Sequence, residues 1–459
     1  MELKGKKVLV VALGKSGLAA ALFLRRRGAQ VTVSDVRSAE ALAKDIPALL
    51  DEGIMVETGG HGLLTFRRQD LIVVSPGVPL ETPELAQVKS FGLPVIGELE
   101  LAARFLKGKT LAITGSNGKT TTTALLGEIL KEAGLPTLVG GNIGVPVVGL
   151  IDDSTDETWS VLEVSSFQLE TTVEFCPAIA VILNITPDHL DRHGSFENYA
   201  KAKERIFAAQ TAEECLVLNA DNPPAAAAAA RSAARVFWFS VEHTVEQGAY
   251  LQQGSVVYRA SKDAAPENIM LLSGIPLKGA HNVENVLAAV CAARQAGASA
   301  DVIRRAVENF RAVEHRLEYV ATINGVEFYN DSKATNVDAT SKAIAAFSTG
   351  IHLILGGKDK NSDYTQLIPL LRERVHAVYT IGSAAEKIEQ HLRGQVTLLS
   401  CETLDKAVTA AASAARPGEV VLLAPACSSF DQFESYEHRG RVFKQLVAER
   451  KEWKVWPSS

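Results

Sequence analysis

The sequence predicts an α/β protein made of three consecutive domains, and three observations lead there. At roughly 100–200 residues per domain, a chain of 459 residues calls for two to four domains, each able to bury a core. Short β-branched runs alternate with helical stretches, the rhythm of parallel sheets with right-handed crossovers. Polar clusters follow several of the strand-like runs, and strand ends are where open α/β sheets bind ligands.

The elements follow in order. In the first block, residues 1–97, the runs 8–11, 31–33 and 71–74 read as strands bounded by Gly, Asp, Ser and Pro, with a helix over 18–27. A second block, 98–309, opens near Glu98 with a strand over 110–113, a glycine loop and a helix over 120–133. Strands over 160–164 and 179–185 follow, and the alanine-rich stretch 222–230 reads as a surface helix because alanine favours helix. The third block, 310–459, carries strands at 326–329, 352–355, 377–381 and 420–423 alternating with helices. No internal repeat is visible.

Composition excludes several classes. Forty-seven basic side chains against 53 acidic ones leave a formal net charge of −6, which gives no reason to expect nucleic acid or an anionic membrane as partner. No apolar run approaches the ~18–20 residues needed to span a bilayer. The lysines before the first apolar stretch are followed at once by Gly14, Lys15 and Ser16, so the N-terminus reads as a strand and not a signal peptide. Cys176, Cys215, Cys291, Cys401 and Cys427 are scattered, with no CxxC pair, which points to a reducing cytosol and against a disulfide framework or structural zinc.

The strongest local signal is Ile113-Thr-Gly115-Ser116-Asn117-Gly118-Lys119-Thr120-Thr121. A strand enters a glycine turn that opens a helix, so backbone N–H groups and the helix dipole can close around phosphate oxygens. Lys119 would place a charge on the β/γ-phosphates and Thr120 a hydroxyl on Mg²⁺, although Ile113 stands where the strict phosphate-loop pattern has its first glycine. A second turn, Ala12-Leu13-Gly14-Lys15-Ser16-Gly17, with Asp35 ending the next strand, imitates a dinucleotide fingerprint with its first glycine replaced. It is compatible with NAD, with another nucleotide, or with a purely structural turn.

Glu163, at a strand end, is placed to act as a Mg²⁺ ligand across from Thr120, or merely as a helix N-terminal acid. His189, among Asp188 and Asp191, is a candidate metal ligand or base, or an exposed loop histidine. Lys201 and Lys203 look like solvated helix charges, and nothing in the sequence separates them. In the third block His315-Arg316 precedes three polar clusters, 330–336, 356–360 and 424–431. Each ends a strand of one expected parallel sheet, which is better explained by one ligand crevice than by three solvated loops.

Taken in order, GSNGKTT, EVSSFQLE, NITPDHLDRH, EHRLE, NDSKATN and PACSSFDQF resemble the cytoplasmic Mur ligases of peptidoglycan synthesis over nearly the whole chain, and DSKATN with SSFDQF resembles the D-glutamate-adding branch. The resemblance implies a Rossmann-like N-terminal domain that holds UDP, a central phosphate-loop ATPase-like domain, and a Rossmann-like C-terminal domain that receives the amino acid. The expected activity is an ATP- and Mg²⁺-dependent amide ligation. The UDP-muramoyl-alanine carboxylate would take the γ-phosphate as an acyl phosphate, and the D-glutamate amine would displace it.

By the same resemblance, Leu13, Gly14, Lys15, Ser16, Asp35, Arg37, Ser75 and Gly77 would line the UDP pocket, and Asn142 would hold the sugar. Lys119, Glu163, His189 and Lys203 would be catalytic. One Mg²⁺ would rest on Thr120 and Glu163, and a second on His189 and a carbamylated Lys203. Residues 115–121 with Asn282, Asn285, Arg316 and Asp331 would contact ATP; Lys333, Thr335, Lys360, Ser429 and Tyr436 would receive D-glutamate, although the family often has phenylalanine where Tyr436 stands. The protein is expected to be a cytoplasmic monomer with small-molecule substrates and no nucleic-acid or membrane partner. A sibling ligase or folylpolyglutamate-type enzyme with another amino acid is the alternative. A regulatory nucleotide-binding module or NAD-dependent oxidoreductase would leave Lys119, Glu163 and His189 without a common task.

Overall fold

The computed structural model describes residues 1–311 and 313–450, so the last nine residues of the expected third domain lie outside it. The chain divides into two compact units. One comprises residues 1–274 and 286–308; the other comprises 275–285 and the described residues from 309 onward.

The first unit holds two sheets. The first is all parallel, in the order Met55–Thr58, Gln30–Asp35, Lys7–Val11, Leu71–Val74, Val95–Gly97. Its central strand is buried on both faces: Val8 and Val10 join one core cluster, while Leu9 and Val11 join another. The first of these clusters continues without a break through Leu99 into Ala112, Leu162 and Ile182 of the next sheet, so the first two sheets share one core. A short helix at the junction, Glu98–Ala103, is almost wholly buried, including both of its glutamates. Glu100 accepts the backbone N–H groups of Val173 (2.8 Å), Glu174 (3.1 Å) and Phe175 (3.1 Å) and pairs with Arg104, which satisfies a carboxylate that burial would otherwise penalise. Glu98 accepts Val148 N–H (2.7 Å), but burial outweighs its backbone donors and pushes the carboxyl up to about 7.

The second sheet has nine strands. Its phosphate-loop strand, Lys109–Thr114, lies between Trp159–Glu163 and Ile179–Ile182, both parallel to it, so Ile113 is level with Glu163 and Thr114 with Ile182. Parallel register brings all three C-terminal ends to one edge, where the loops that follow meet. The helix Lys119–Glu132 buries Leu125, Leu126, Ile129 and Leu130 against this sheet. Each such burial is worth about 1.5–3 kcal/mol. The stretch 222–230 is helical at the surface as expected but short and tightened: a helical turn Pro223–Ala226 runs into a 3₁₀ turn Ala227–Arg231, with Ala225 and Ala228 turned inward and fully buried. Asn222 caps that turn, and the two prolines start it but cannot extend it backward.

The second unit is built on a six-stranded sheet, in which Val326–Asn330, Val420–Leu423, Ile351–Gly356, Val375–Ile381 and Thr397–Glu402 run parallel and Glu318–Ile323 is antiparallel at one edge. The sequence reading missed that edge strand. It also missed 55–58, 137–141, 215–219 and 235–240, together with an antiparallel extension of the second sheet.

Candidate active site

The two glycine turns of the first unit have different chemistry. In the first, Ala12 adopts φ 70°, taking the conformation a glycine would usually supply. Gly17 is needed for space, since a Cβ there would drive into the Ala12 carbonyl oxygen and crowd Ser75 Oγ. Asp35 is buried and accepts four hydrogen bonds, from Leu13 N (2.7 Å), Arg37 N (2.8 Å), Arg37 Nε (3.1 Å) and Arg37 Nη2 (2.8 Å). Burial acts to raise its carboxyl, but these donors outweigh it and hold the group at about 2. Every lone-pair direction of Asp35 is therefore spoken for by its own loop, which leaves it ill suited to accept a ribose hydroxyl and well suited to fix the loop.

Beside it lies a cleft of about 730 Å³, lined among others by Gly14, Lys15, Ser16, Asp35, Arg37, Ser75 and Gly77. Leu13 is buried outside the lining, its backbone held by Asp35 and Arg37. His61 and Thr82, which line the same cleft, carry no motif and were not anticipated.

At the second turn Gly115 (φ 158°) lies against Leu183 and Asn184, and Gly118 (φ 87°) caps the helix in the left-handed region. The loop from the neighbouring strand clamps the turn. Asn117 N–H donates to Asn184 Oδ1 (2.9 Å), Asn184 Nδ2 donates to the Asn117 carbonyl (3.2 Å), and Ser116 Oγ donates to the Thr186 carbonyl (2.9 Å) beside Tyr199 Oη (3.0 Å). Asn184 and Tyr199 were not anticipated in this role. Asn184 lies two residues past the end of its strand, Ile179–Ile182, whereas Glu163 is the last residue of the strand on the other side.

Lys119 Nζ donates to the carbonyls of Gly115 (2.8 Å) and Ser116 (3.0 Å). Thr120 Oγ1 donates to Glu163 Oε2 (2.8 Å), and Asn142 Nδ2 donates to Glu163 Oε1 (2.9 Å). Asn142, expected at a sugar, thus sits on the same buried carboxylate as Thr120. The structure separates the two lysines of the following helix: Lys201 is exposed, whereas Lys203 is buried. Lys203 Nζ donates to the Gly115 carbonyl (2.8 Å) and lies 4.6 Å from the centre of the Tyr199 ring. Burial, reinforced by the Lys119 charge, holds its ammonium well below the usual lysine range.

His189, at φ 52°, caps the turn Leu190–His193 and lies with its ring 5.0 Å from Phe167. The neighbouring His193 is locked between Ser166 Oγ (3.0 Å) and Glu170 (3.1 Å), a structural role.

In the second unit the three expected polar clusters follow three adjacent strands of one sheet. Lys358 and Ser428 exchange backbone hydrogen bonds (2.9 and 3.1 Å), and Ala426 N–H donates to the Ala334 carbonyl (2.9 Å), so the loops are laced together. Arg439, fully buried, ties two of them from below, donating to Ser332 Oγ (2.9 Å) and to the carbonyls of Ser332 (2.8 Å) and Cys427 (3.1 Å). In sequence it is one charge in a charged helix, and only its burial shows its task.

Lys333 Nζ lies 5.2 Å from the centre of the Tyr436 ring. Ser429 is buried, while Thr335 and Lys360 are half-buried in the same loops. Asp331 accepts Leu317 N–H (3.2 Å), and burial pushes its carboxyl up to about 6 against the pull of the nearby Arg316. Asn282 and Asn285, buried in this unit, bond to one another (3.1 Å).

A nucleotide-sized cleft, a phosphate loop with a buried oxygen cluster and a polar loop set on a third sheet define a three-domain ATP-dependent ligase. Known proteins agree. Residues 6–97 match the Mur ligase MurD-like N-terminal domain, 113–293 the Mur ligase middle domain, and 315–427 the Mur ligase glutamate ligase domain. The UDP-N-acetylmuramoylalanine–D-glutamate ligase of Acidobacterium capsulatum is 72% identical over 459 residues, covering 100% of both chains. That of Koribacter versatilis is 59% identical, covering 97% of this chain and 98% of its own. The MurF ligase of Thermotoga maritima, solved in complex with ADP, shares the fold at a TM-score of 0.60 and 18% identity, covering 98% of this chain and 96% of its own. The chain belongs to the Mur ligase family.

Proposed function

We propose that this chain joins D-glutamate to UDP-N-acetylmuramoyl-L-alanine at the expense of ATP, releasing ADP and phosphate, as a step of cytoplasmic peptidoglycan precursor synthesis. The observation that carries this reading is full-length identity of 72% to a ligase of that name, in a chain with the buried Thr120–Glu163 pair beside its phosphate loop. Among the described residues no helix is long and apolar enough to cross a membrane.

The residues fit Mg²⁺. Thr120 Oγ1 and Glu163 are buried oxygen donors 2.8 Å apart, the set a hard cation prefers. Bound there, Mg²⁺ would supply the positive charge that a carboxylate attacking a triphosphate requires. The phosphate loop with residues 115–121 would hold the triphosphate, and Lys119 would leave its two carbonyls for the β/γ-phosphates. As an ammonium Lys203 could not ligate a cation. Its burial favours the neutral amine, the form that adds CO₂, and the carbamate would then be an anionic oxygen ligand beside His189. Asn282, Asn285, Arg316 and Asp331 are assigned to ATP; Lys333, Thr335, Lys360, Ser429 and Tyr436 are assigned to D-glutamate. The cleft beside Asp35 is assigned to UDP, with domain boundaries near 97/98 and 309/310.

In the acyl-phosphate route, the amine must meet a carbonyl already activated. Phosphate release is therefore expected only when ATP, UDP-N-acetylmuramoyl-L-alanine and D-glutamate are all present. Equal release with L-glutamate or meso-diaminopimelate would overturn the specificity.

A further inference from the structure

We propose that His352, His376 and Glu419 form a binding site for a divalent transition ion of the zinc class, at the end of the third sheet opposite its polar loops. The three residues stand at the starts of three neighbouring strands. Ile351 pairs with Val420 on one side and Val375 on the other, so Glu419, His352 and His376 are each one residue from this common level. The pairing then slips: His352 is opposite Ala377, which leaves His376 as an extra residue, a bulge of the kind that re-aims a side chain. Its ring reaches past the central strand to Glu419 on the next.

The donors converge. His352 Nε2 is 3.0 Å from Glu419 Oε2, and His376 Nδ1 is 3.0 Å from Oε1. All three ligand atoms lie within 4.8 Å of one another. With metal–nitrogen and metal–oxygen distances of about 2.1 Å, neighbouring donors sit roughly 2.9–3.4 Å apart, which the two His–Glu separations match.

The surroundings are those of a prepared site. His352 Nδ1 is 2.9 Å from Tyr379 Oη. That hydroxyl can accept the Nδ1 proton when Nε2 becomes a ligand, which fixes tautomer and ring orientation. Arg416 N–H (2.8 Å) orients Glu419. Among the described residues the ion-pair partners of Glu419 are the two histidines, with no lysine or arginine side chain.

Two other groups of similar composition among the described residues are less suited: Glu314 and Glu318 are held by Lys444, and in the other Glu242 and His243 are exposed while Asp221 is engaged by Ser240 Oγ and Val241 N–H. His376 is 52% exposed, leaving an open side for entry and for water ligands. Two imidazoles select zinc, cobalt or nickel over Mg²⁺, so the site would not compete for the ion that serves ATP.

The test uses the full-length protein, stripped with chelator and held in millimolar Mg²⁺, titrated with Zn²⁺ by calorimetry and with Co²⁺ by visible absorption. The wild type is expected to bind one equivalent that His376→Ala and Glu419→Gln each weaken at least about tenfold. Zn²⁺ should raise the melting temperature of the wild type and not of either variant. Because His376 is half-exposed, its loss should leave the metal-free melting temperature unchanged. Equal stoichiometry and affinity in wild type and both variants would overturn the site and leave a hydrogen-bonded His–Glu–His latch.

Discussion

Two strand–turn–helix segments of the first unit, at residues 11–18 and 113–120, follow one backbone plan and end in opposite chemistry. Both strands lie between parallel neighbours, both turns rely on glycine, and neither helix has an acidic residue in its first turn. The first turn spends its one buried charge, Asp35, on its own backbone and on Arg37, and leaves beside it a cleft of about 730 Å³. The second gathers half-buried Lys119 with the buried Lys203, Thr120 and Glu163 in one cluster whose two lysines share the Gly115 carbonyl. A turn of this shape can cradle phosphate in either place, but reactivity comes from what neighbouring strands and helices deliver to it.

The largest expected effect breaks the second turn alone. Lys119→Ala should lower kcat/KM by about 10³-fold, the scale for losing a charge that stabilises phosphoryl transfer, while binding of the UDP substrate, followed by calorimetry, stays within about twofold. Loss of both together would mean that the two turns do not act separately.

Lys203→Ala should lower kcat by about 10²-fold with near-ultraviolet dichroism preserved, and Lys201→Ala should stay within about twofold. Wild-type activity should fall when bicarbonate is removed and recover when it is restored. Indifference to bicarbonate would argue against the carbamate.

The glycines sharpen the contrast further. Gly17→Ala should cost about 1–3 kcal/mol by overpacking against Ala12 and Ser75, and should raise the KM for the UDP substrate. Gly118→Ala should cost about 1–2 kcal/mol through its φ of 87° and act on the KM for ATP instead. Denaturant unfolding and steady-state kinetics separate the two.

The smallest effect concerns Glu98, between the two regions. Its carboxyl is raised from 4.5 to about 7, so the folded state holds more protons than the unfolded state in that window, and stability should fall as pH rises through it. Glu98→Gln should flatten the melting temperature between pH 4.5 and 7 and raise it above pH 7 by about 2–4 °C for each kcal/mol recovered.

Much of this was legible before any coordinates. The central strands 71–74 and 420–423 match their expected bounds, because strands buried on both faces are written as continuous β-branched runs. Edge and glycine-rich strands such as Met55–Thr58 and Thr137–Gly141 were missed because they are half-exposed or lack a two-residue alternation. The phosphate loop, Glu163 and the three polar clusters could be read because each sits directly after a strand. Arg439, Asn184, Tyr199 and His61 could not, since their roles depend on burial or on neighbours far away in the chain.

By itself the sequence determined the α/β class, the three sheets in order and the residue types at their ends, because periodicity and turn chemistry are local. Residue chemistry alone did not separate Lys201 from Lys203, which only the resemblance singled out; the tertiary structure buries Lys203 and exposes Lys201. Two residues apart on a helix, they point to different sides, and which side is buried depends on the phase at which that helix packs onto the phosphate loop. The same holds for Asp35, whose type fitted a ribose ligand until the fold brought four donors of its own chain around it.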